Sequence, residues 1–407
     1  MKITVTNFEE MILALLSICG EIDEKYLISR FGDSILKNYS YNYAKQTIRQ
    51  MDTELKLINR KQYSSLETNR KYLRLSKRKG YEALDKISKE LMPHFELMAG
   101  DSNNRYKGSA NRLMRKRDTM FLALTHLLDG IMVDYLWIDS SPKAENEIEP
   151  EYRKSIFDKK GELLHPREII ARMESGEVCY LTSGALKDIH NQAASIFKGN
   201  TKYTGLLLAP PVCFICYYIP YPDYSWSNTE EQLKLLVKTY ITNLLGEGKA
   251  KAPAAIFYLY DEKCYYEFIN GINEEKNKAN RGRRLNPADI YESGFLLPLC
   301  NNYREIREIL LMENGEEKLS KVILGENYTA GTEHDGIVKG CKVYNLLLSD
   351  FVKMQRIRDK VREEDSIIVI HKWQERTLRK YFGEQTRIIT IGENYFSDYL
   401  MEIYEMS

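Results

Sequence analysis

Eighteen consecutive residues without a charge, GLLLAPPVCFICYYIPYP from Gly205 to Pro222, leave this sequence few folds to choose from. A helix that crosses a bilayer needs about 20 apolar residues in unbroken register. Pro210 and Pro211 cut the run in two, because proline lacks the N–H that a helix interior requires. The two halves, Thr204–Ala209 and Val212–Ile219, are rich in the residue types that strands bury. They are expected to form an antiparallel pair joined by the Pro-Pro turn. The N-terminal MKITVTNFEEMILALL places acids ahead of its apolar residues and offers no small-residue cleavage site, so a signal peptide is not expected. Seven cysteines, an odd number scattered from Cys19 to Cys341, suit reduced thiols better than a disulfide framework. A cytoplasmic protein away from the membrane is the expectation.

Strand-like and helix-like segments then alternate to the end of the chain. Strands are expected at Val178–Leu181, Ala254–Tyr260, Phe295–Cys300, Cys341–Leu347, Ser366–Ile370 and Arg387–Ile391. Helices are expected at Ser183–Phe197, Asn228–Leu245, Tyr303–Met312, Ser349–Val361 and Lys372–Phe382. This order predicts an α/β multi-domain chain: an N-terminal winged helix-turn-helix followed by a mixed-sheet α/β domain. The expected divisions are a winged helix over 1–95, a connecting helix and polar linker over 96–152, and the α/β domain over 153–407. The linker is read from SSPKAENEIEPE, residues 140–151, a polar stretch bracketed by prolines.

The first hundred residues carry the winged-helix pattern. Asn7 with Glu10 is a capping-box spacing, followed by Phe8, Met11, Ile12, Leu15 and Leu16 at helical steps. A short helix over Asp23–Arg30 turns Tyr26 and Leu27 inward. Ser40 caps a third helix in which Tyr41, Ala44, Ile48, Met51 and Leu55 make the expected buried stripe. Leu57–Tyr63 and Lys71–Leu75 then read as a hairpin with its tip at Ser64–Asn69. Ser76 opens a last helix striped by Tyr81, Leu84, Ile87 and Leu91.

Charge overlaps this pattern. Residues 1–120 hold 23 Lys/Arg against 15 Asp/Glu, a net of +8 that leaves −7 for the remainder of a chain whose total is +1. Residues 37–80 alone hold 12 basic and three acidic residues. Duplex DNA carries a charge about every 1.7 Å and rewards such a face by counterion release. On the third helix, Asn42, Gln46 and Arg49 have the amide and guanidinium groups that read base edges in the major groove, and Lys45 can hold a phosphate. On the hairpin, Arg60, Lys61, Arg70 and Lys71 flank a polar tip suited to a neighbouring minor groove. Double-stranded DNA is therefore the expected partner. The basic Arg112–Arg117 patch can add phosphate contacts, or simply solvate the start of a helix containing Met120, Phe121, Leu124 and Leu127.

No catalytic motif emerges, and no catalytic residue, metal ligand or cofactor is assigned. The six histidines contain no His-apolar-His triplet, and a P-loop is absent, which excludes that class of ATPase. Cys213 and Cys216 have zinc-like spacing, but inside a strand they point to opposite faces. Asp261-Glu262-Lys263 and Glu316-Glu317-Lys318 match the acid-x-Lys of metal-dependent nucleases. They leave open a nickase with Asp261, Lys263 and Glu267 near a metal, although solvated turns explain the same residues. A ligand-sensing repressor is a further alternative. Tyrosines cluster at Tyr217, Tyr218, Tyr221 and Tyr224 and at Tyr258, Tyr260, Tyr265 and Tyr266, which fits a core or a protein–protein interface.

CYLTSGALKDI (Cys179–Ile189) and the segment Thr204–Val237 resemble the replication-relaxation family of Firmicutes plasmids and conjugative elements. Tyr180, Thr182, Ser183, Leu186, Lys187, Gly205, Trp226, Glu230 and Lys234 occupy the corresponding places. The sequence departs from the family in having no Arg shortly before Gly205 and in carrying Pro220 at a turn. The resemblance implies a mobile-element DNA-binding protein acting in replication, transfer or regulation.

Overall fold

The computed structural model describes residues 8–9, 12–13, 16, 21–30, 40–62, 71–76, 78–80, 82–83, 118–119, 121–127, 129–134, 163–164, 171–172, 175–183, 203–219, 228–245, 251–271, 287–300, 302–331 and 333–405. The chain is α/β and divides into two compact units. One comprises Met1–Ala171 with Cys179–Ile189, the other Arg172–Val178 with His190–Ser407. The hairpin tip, the Asn7–Glu10 cap, Met11, Leu15, Arg70, Tyr81, Leu84, Ile87, Leu91, the Arg112–Arg117 patch, residues 140–151 and nearly all of the expected Ser183–Phe197 helix lie outside the described residues.

In the first unit, strand β1 (Ile22–Asp23) leads directly into helix α1 (Glu24–Arg30). Asp23 caps that helix by accepting the Tyr26 N–H at 2.8 Å. Helix α2 (Tyr41–Thr53) follows, then the hairpin β2 (Ile58–Gln62) and β3 (Lys71–Leu75). The three strands form an antiparallel sheet in the order β1-β3-β2, with Ile22 opposite Leu73 and Arg60 opposite Leu73 on the other side. Phe8, Ile12, Leu16, Leu27, Ile48, Met51, Leu57, Ile58 and Leu73 build the core. The chain leaves α2 through Lys56, whose left-handed φ of 55° lets the Leu57 N–H reach the Met51 carbonyl at 2.8 Å. Leu57 then accepts the N–H of Ser76 at 2.9 Å, where the hairpin ends. A Cβ at Gly80 would lie 2.5 Å from the same carbonyl, so only glycine lets the returning chain pass here.

Residues 121–127 are helical, and Leu122, Ala123, Leu124, Thr125, His126 and Leu127 are all buried. Tyr26 fixes this helix against α1 through a 2.6 Å hydroxyl contact with Thr125 and an edge contact with Phe121. Three parallel strands in the order β5-β4-β6 adjoin it: β4 (Met132–Asp134), β5 (Leu163–Leu164) and β6 (Cys179–Thr182). β4 and β5 therefore lie on either side of the expected boundary at residue 152, yet they are neighbours in one sheet.

The second unit contains the Pro-Pro pair. β7 (Tyr203–Ala209) and β8 (Val212–Ile219) are antiparallel, with Ala209 opposite Val212 across Pro210–Pro211. Helix α3 (Asn228–Leu245) follows, and β9 (Ala254–Leu259) pairs parallel to β8. Helices α4 (Glu262–Gly271) and α5 (Pro287–Ile290) lead to β10 (Gly294–Pro298), parallel to β9. The sheet is mixed, as expected, and Tyr217, Tyr258 and Tyr265 are fully buried in this unit. These rings are core rather than an interface.

The remainder is not an extension of that sheet. Helices α6 (Tyr303–Leu311) and α7 (Gly315–Leu324) precede a second, four-stranded sheet in the order β11-β12-β13-β14. Its strands are β11 (Gly336–Val338), β12 (Cys341–Asn345), β13 (Ser366–His371) and β14 (Arg387–Ile391), interleaved with α8 (Phe351–Glu363) and α9 (Glu375–Phe382) and followed by α10 (Glu393–Glu405). The segment at Ser349–Asp350 stitches the two sheets of this unit: Leu296 donates to the Ser349 carbonyl at 3.0 Å, and Asp350 bridges to Phe295. Ser349 has a φ of 59°, and its hydroxyl donates to Tyr265 at 3.2 Å. Asp350 caps α8 and also accepts the Gly294 N–H at 3.1 Å. Burial, with Glu316 nearby, pushes its carboxyl up to about 6.

Beside this stitch, Gln374 donates to both Tyr265 (3.0 Å) and Ser349 (3.1 Å) and accepts the His371 N–H (2.8 Å). The His371 ring contacts the Leu347 carbonyl through Nε2 and Asn302 through Nδ1, and Trp373 donates to Asn302. This pattern suits the neutral ring, with Nε2–H donating and Nδ1 accepting. Burial pushes the His371 pKa down to about 3. Between pH 6.5 and 3 the unfolded chain therefore binds a proton here that the native chain refuses, and stability falls as pH falls. His371→Gln should destabilise the protein by about 2 kcal/mol at pH 7. That gap should shrink by about 1.4 kcal/mol for each pH unit below 6.5, closing near pH ~5 and reversing below it, since only the wild type carries the histidine penalty. Urea midpoints from pH 7 to 4.5 check this, and a gap that stays constant or widens contradicts it.

Candidate nucleic-acid interface

Helix α2 starts where Ser40 takes up an extended backbone and its Oγ accepts the Tyr43 N–H at 3.2 Å. Ala44, Thr47, Ile48 and Met51 are its buried residues. Two positions of the expected stripe differ: Tyr41 is 55% exposed and Leu55 is only half-buried. Tyr41 is the first residue of the helix, and Thr47 completes the buried face in its stead. Asn42, Lys45, Gln46, Arg49 and Gln50 are exposed. Among the described residues, no side chain of Asn42, Lys45, Gln46 or Arg49 enters a hydrogen bond or ion pair. Steps of four place Tyr41, Lys45 and Arg49 in one row, with Asn42, Gln46 and Gln50 in a second row beside it. Eight residues of rise make each row about 12 Å long, comparable to the width of a major groove.

The hairpin divides its cations differently. Arg60 stands on the face that carries Leu73, towards the helices. Its Nη2 lies 2.9 Å from Glu24 of α1, and its Nη1 lies 3.7 Å from Asp52 of α2. Arg60 therefore ties both helices to the sheet, and its charge is shared between two carboxylates. Arg74 holds the buried carboxylate of Glu21 at 2.7 Å. Lys61 and Lys71 are exposed, but the register puts them on opposite faces of the hairpin. The structure thus brings four of the predicted residues onto one surface and leaves Lys61 and Lys71 apart from each other. Arg70 falls outside the described residues.

The acid-x-Lys triplets are helix starts rather than turns or loops. Asp261 accepts the Cys264 N–H at 2.9 Å and so caps α4. Lys263 is 79% exposed and lies 3.8 Å from Glu267 one turn on, a surface pair. Glu316 and Glu317 occupy the first turn of α7, where the helix dipole favours acids. Glu316 contacts Lys353 at 3.0 Å, and Lys353 also meets Asp335 at 3.0 Å. Burial opposes the charge on Lys353, but these two carboxylates outweigh it and hold the amine protonated. Among the described residues, no three His, Cys, Asp or Glu side chains converge as a metal site. Cys213 and Cys216 are fully buried in β8, and burial raises both thiols.

Sequence reasoning passed over Tyr41, whose exposure only the true helix phase reveals. It also passed over Asp134 at the carboxyl end of β4. That buried acid accepts the Thr182 hydroxyl at 2.9 Å and the Thr182 N–H. Among the residues of the family resemblance, Tyr180, Thr182, Gly205 and Glu230 are buried, and Lys234 donates to the Ile290 carbonyl at 2.8 Å. These contacts serve packing.

Comparison with protein families, with curated proteins and with solved structures finds no match to this chain. Among the described residues, no helix is long and apolar enough to cross a membrane.

Arg60→Ala would leave Glu24 and Asp52 without their shared cation, at a cost of about 1–3 kcal/mol. Lys45→Ala, on the exposed row, should change stability by less than about 0.5 kcal/mol. Denaturation curves of the two variants against the wild type test the contrast, and equal losses would contradict the assignment of Arg60 as an internal tie.

Proposed function

We propose that the N-terminal module is a winged helix that binds duplex DNA, with α2 lying in the major groove. The observation that carries this reading is the exposed polar face of α2, where Asn42, Lys45, Gln46 and Arg49 stand together without intramolecular partners among the described residues. The succession of strand, two helices and hairpin, with sheet order β1-β3-β2, supports a winged-helix assignment. Asn42, Gln46 and Arg49 carry the groups that pair with adenine and guanine edges, while Lys45 and Lys61 neutralise phosphates. The family resemblance adds a setting: a mobile genetic element whose replication, transfer or regulation uses this contact. The second unit serves that role as a scaffold or assembly platform.

Arg60 and Arg74 are spent on internal carboxylates, so fewer cations face the duplex than the sequence count suggests. Lys61→Ala should weaken binding to every duplex alike and lower the slope of log affinity against log salt by roughly one unit. Asn42→Ala combined with Arg49→Ala should instead reduce the preference for a selected site over random duplex, by ~1–3 kcal/mol per lost base contact. Gel shifts across a salt series separate the two effects. Equal losses on selected and random DNA for both variants would overturn the placement of α2 in the groove.

A further inference from the structure

The first residue of α2 is an amphipathic ring left in solvent, at the head of the row that continues through Lys45 and Arg49. Tyr41 carries no capping duty, because Ser40 supplies the cap and its hydroxyl is engaged by the Tyr43 N–H. It also makes no ring contact or side-chain hydrogen bond among the described residues, whereas neighbouring Tyr43 packs edge-on against Phe8 at 5.6 Å. An exposed tyrosine at this position adds nothing to the core and sits on a face otherwise made of amides and cations.

Resting on the duplex reading above, we propose that Tyr41 is a specificity-determining residue that packs against the methyl group of a thymine in the major groove. In an intact duplex the base faces are stacked on one another and closed to an incoming ring. The groove floor offers hydrogen-bonding edges, which suit Asn42, Gln46 and Arg49, and one apolar group, the thymine C5-methyl. Residues in the first turn of a groove-bound helix reach base edges. The head of the row therefore belongs at a base. Asn42, adjacent in sequence and on the second row, has the donor–acceptor pair that matches adenine N6 and N7. The site that α2 selects thus contains a thymine close to an adenine.

The test uses the full-length protein and a pool of duplexes with a randomised core, from which the tightest binders are enriched. Each thymine of the enriched site is then replaced singly by uracil, which removes only the methyl group. At one thymine the wild type should lose affinity about fourfold, the worth of one buried methyl. Tyr41→Ala should bind the thymine duplex that much more weakly and show no further loss with uracil at that position. Tyr41→Phe should behave as the wild type, because the contact is made by the ring and not by the hydroxyl. Thermal unfolding of both variants should match the wild type, since the side chain is exposed. If wild type and Tyr41→Ala respond alike to every uracil, the inference is overturned. If random duplex is bound in a salt-dependent way but no sequence is enriched, the inference fails while the duplex reading survives. If no duplex is retained at all, both fall.

Discussion

A helix packed on a sheet can bury only one side, and in α2 that side is fixed by Ala44, Thr47, Ile48 and Met51. Everything proposed for this protein follows from that phase. Turning the helix by one residue, about 100°, would sink Lys45 or Arg49 into the core, where an unpaired charge costs several kcal/mol. The Ser40 cap at one end and the Lys56–Leu57 exit at the other lock the register. The outward rows are thus a consequence of how the inward face packs.

Much of this was legible from residue order. The Ser40 cap, the hairpin strands and the pair around Pro210–Pro211 each rest on local chemistry: a hydroxyl before an apolar period, a strand period between turn residues, and an uncharged run broken by proline. Helix α3 and strand β14 agree with the expected bounds residue for residue. What failed was non-local. Tyr41 fits a helical period as well as Ala44 does, yet it is exposed where Ala44 is buried. Arg60 looks like its neighbour Lys61 in sequence, but period-two alternation sends one towards acids on α1 and α2 and the other outward. Glu316 and Glu317 read as loop because their helix begins at Gly315, packed so tightly on the Ile309 carbonyl that no Cβ fits. The division of the second unit into two sheets also escaped, since nothing in a strand's own sequence names its neighbour.

In that second unit, polar groups do the joining. Tyr265, Ser349, Gln374, His371 and Asn302 are buried, and each is hydrogen-bonded within a single network that spans the carboxyl ends of strands from both sheets. Buried networks of this kind specify one arrangement more than they add stability, because any alternative packing strands a donor or acceptor.

Leu57 has a further significance. Its N–H closes the exit of α2, its carbonyl receives the end of the hairpin, and Gly80 passes against that same oxygen. Helix, hairpin and returning chain therefore meet at one peptide. The angle between α2 and the root of the hairpin is set before any ligand arrives, so a partner gripped by both meets a rigid caliper and little conformational freedom is surrendered on docking.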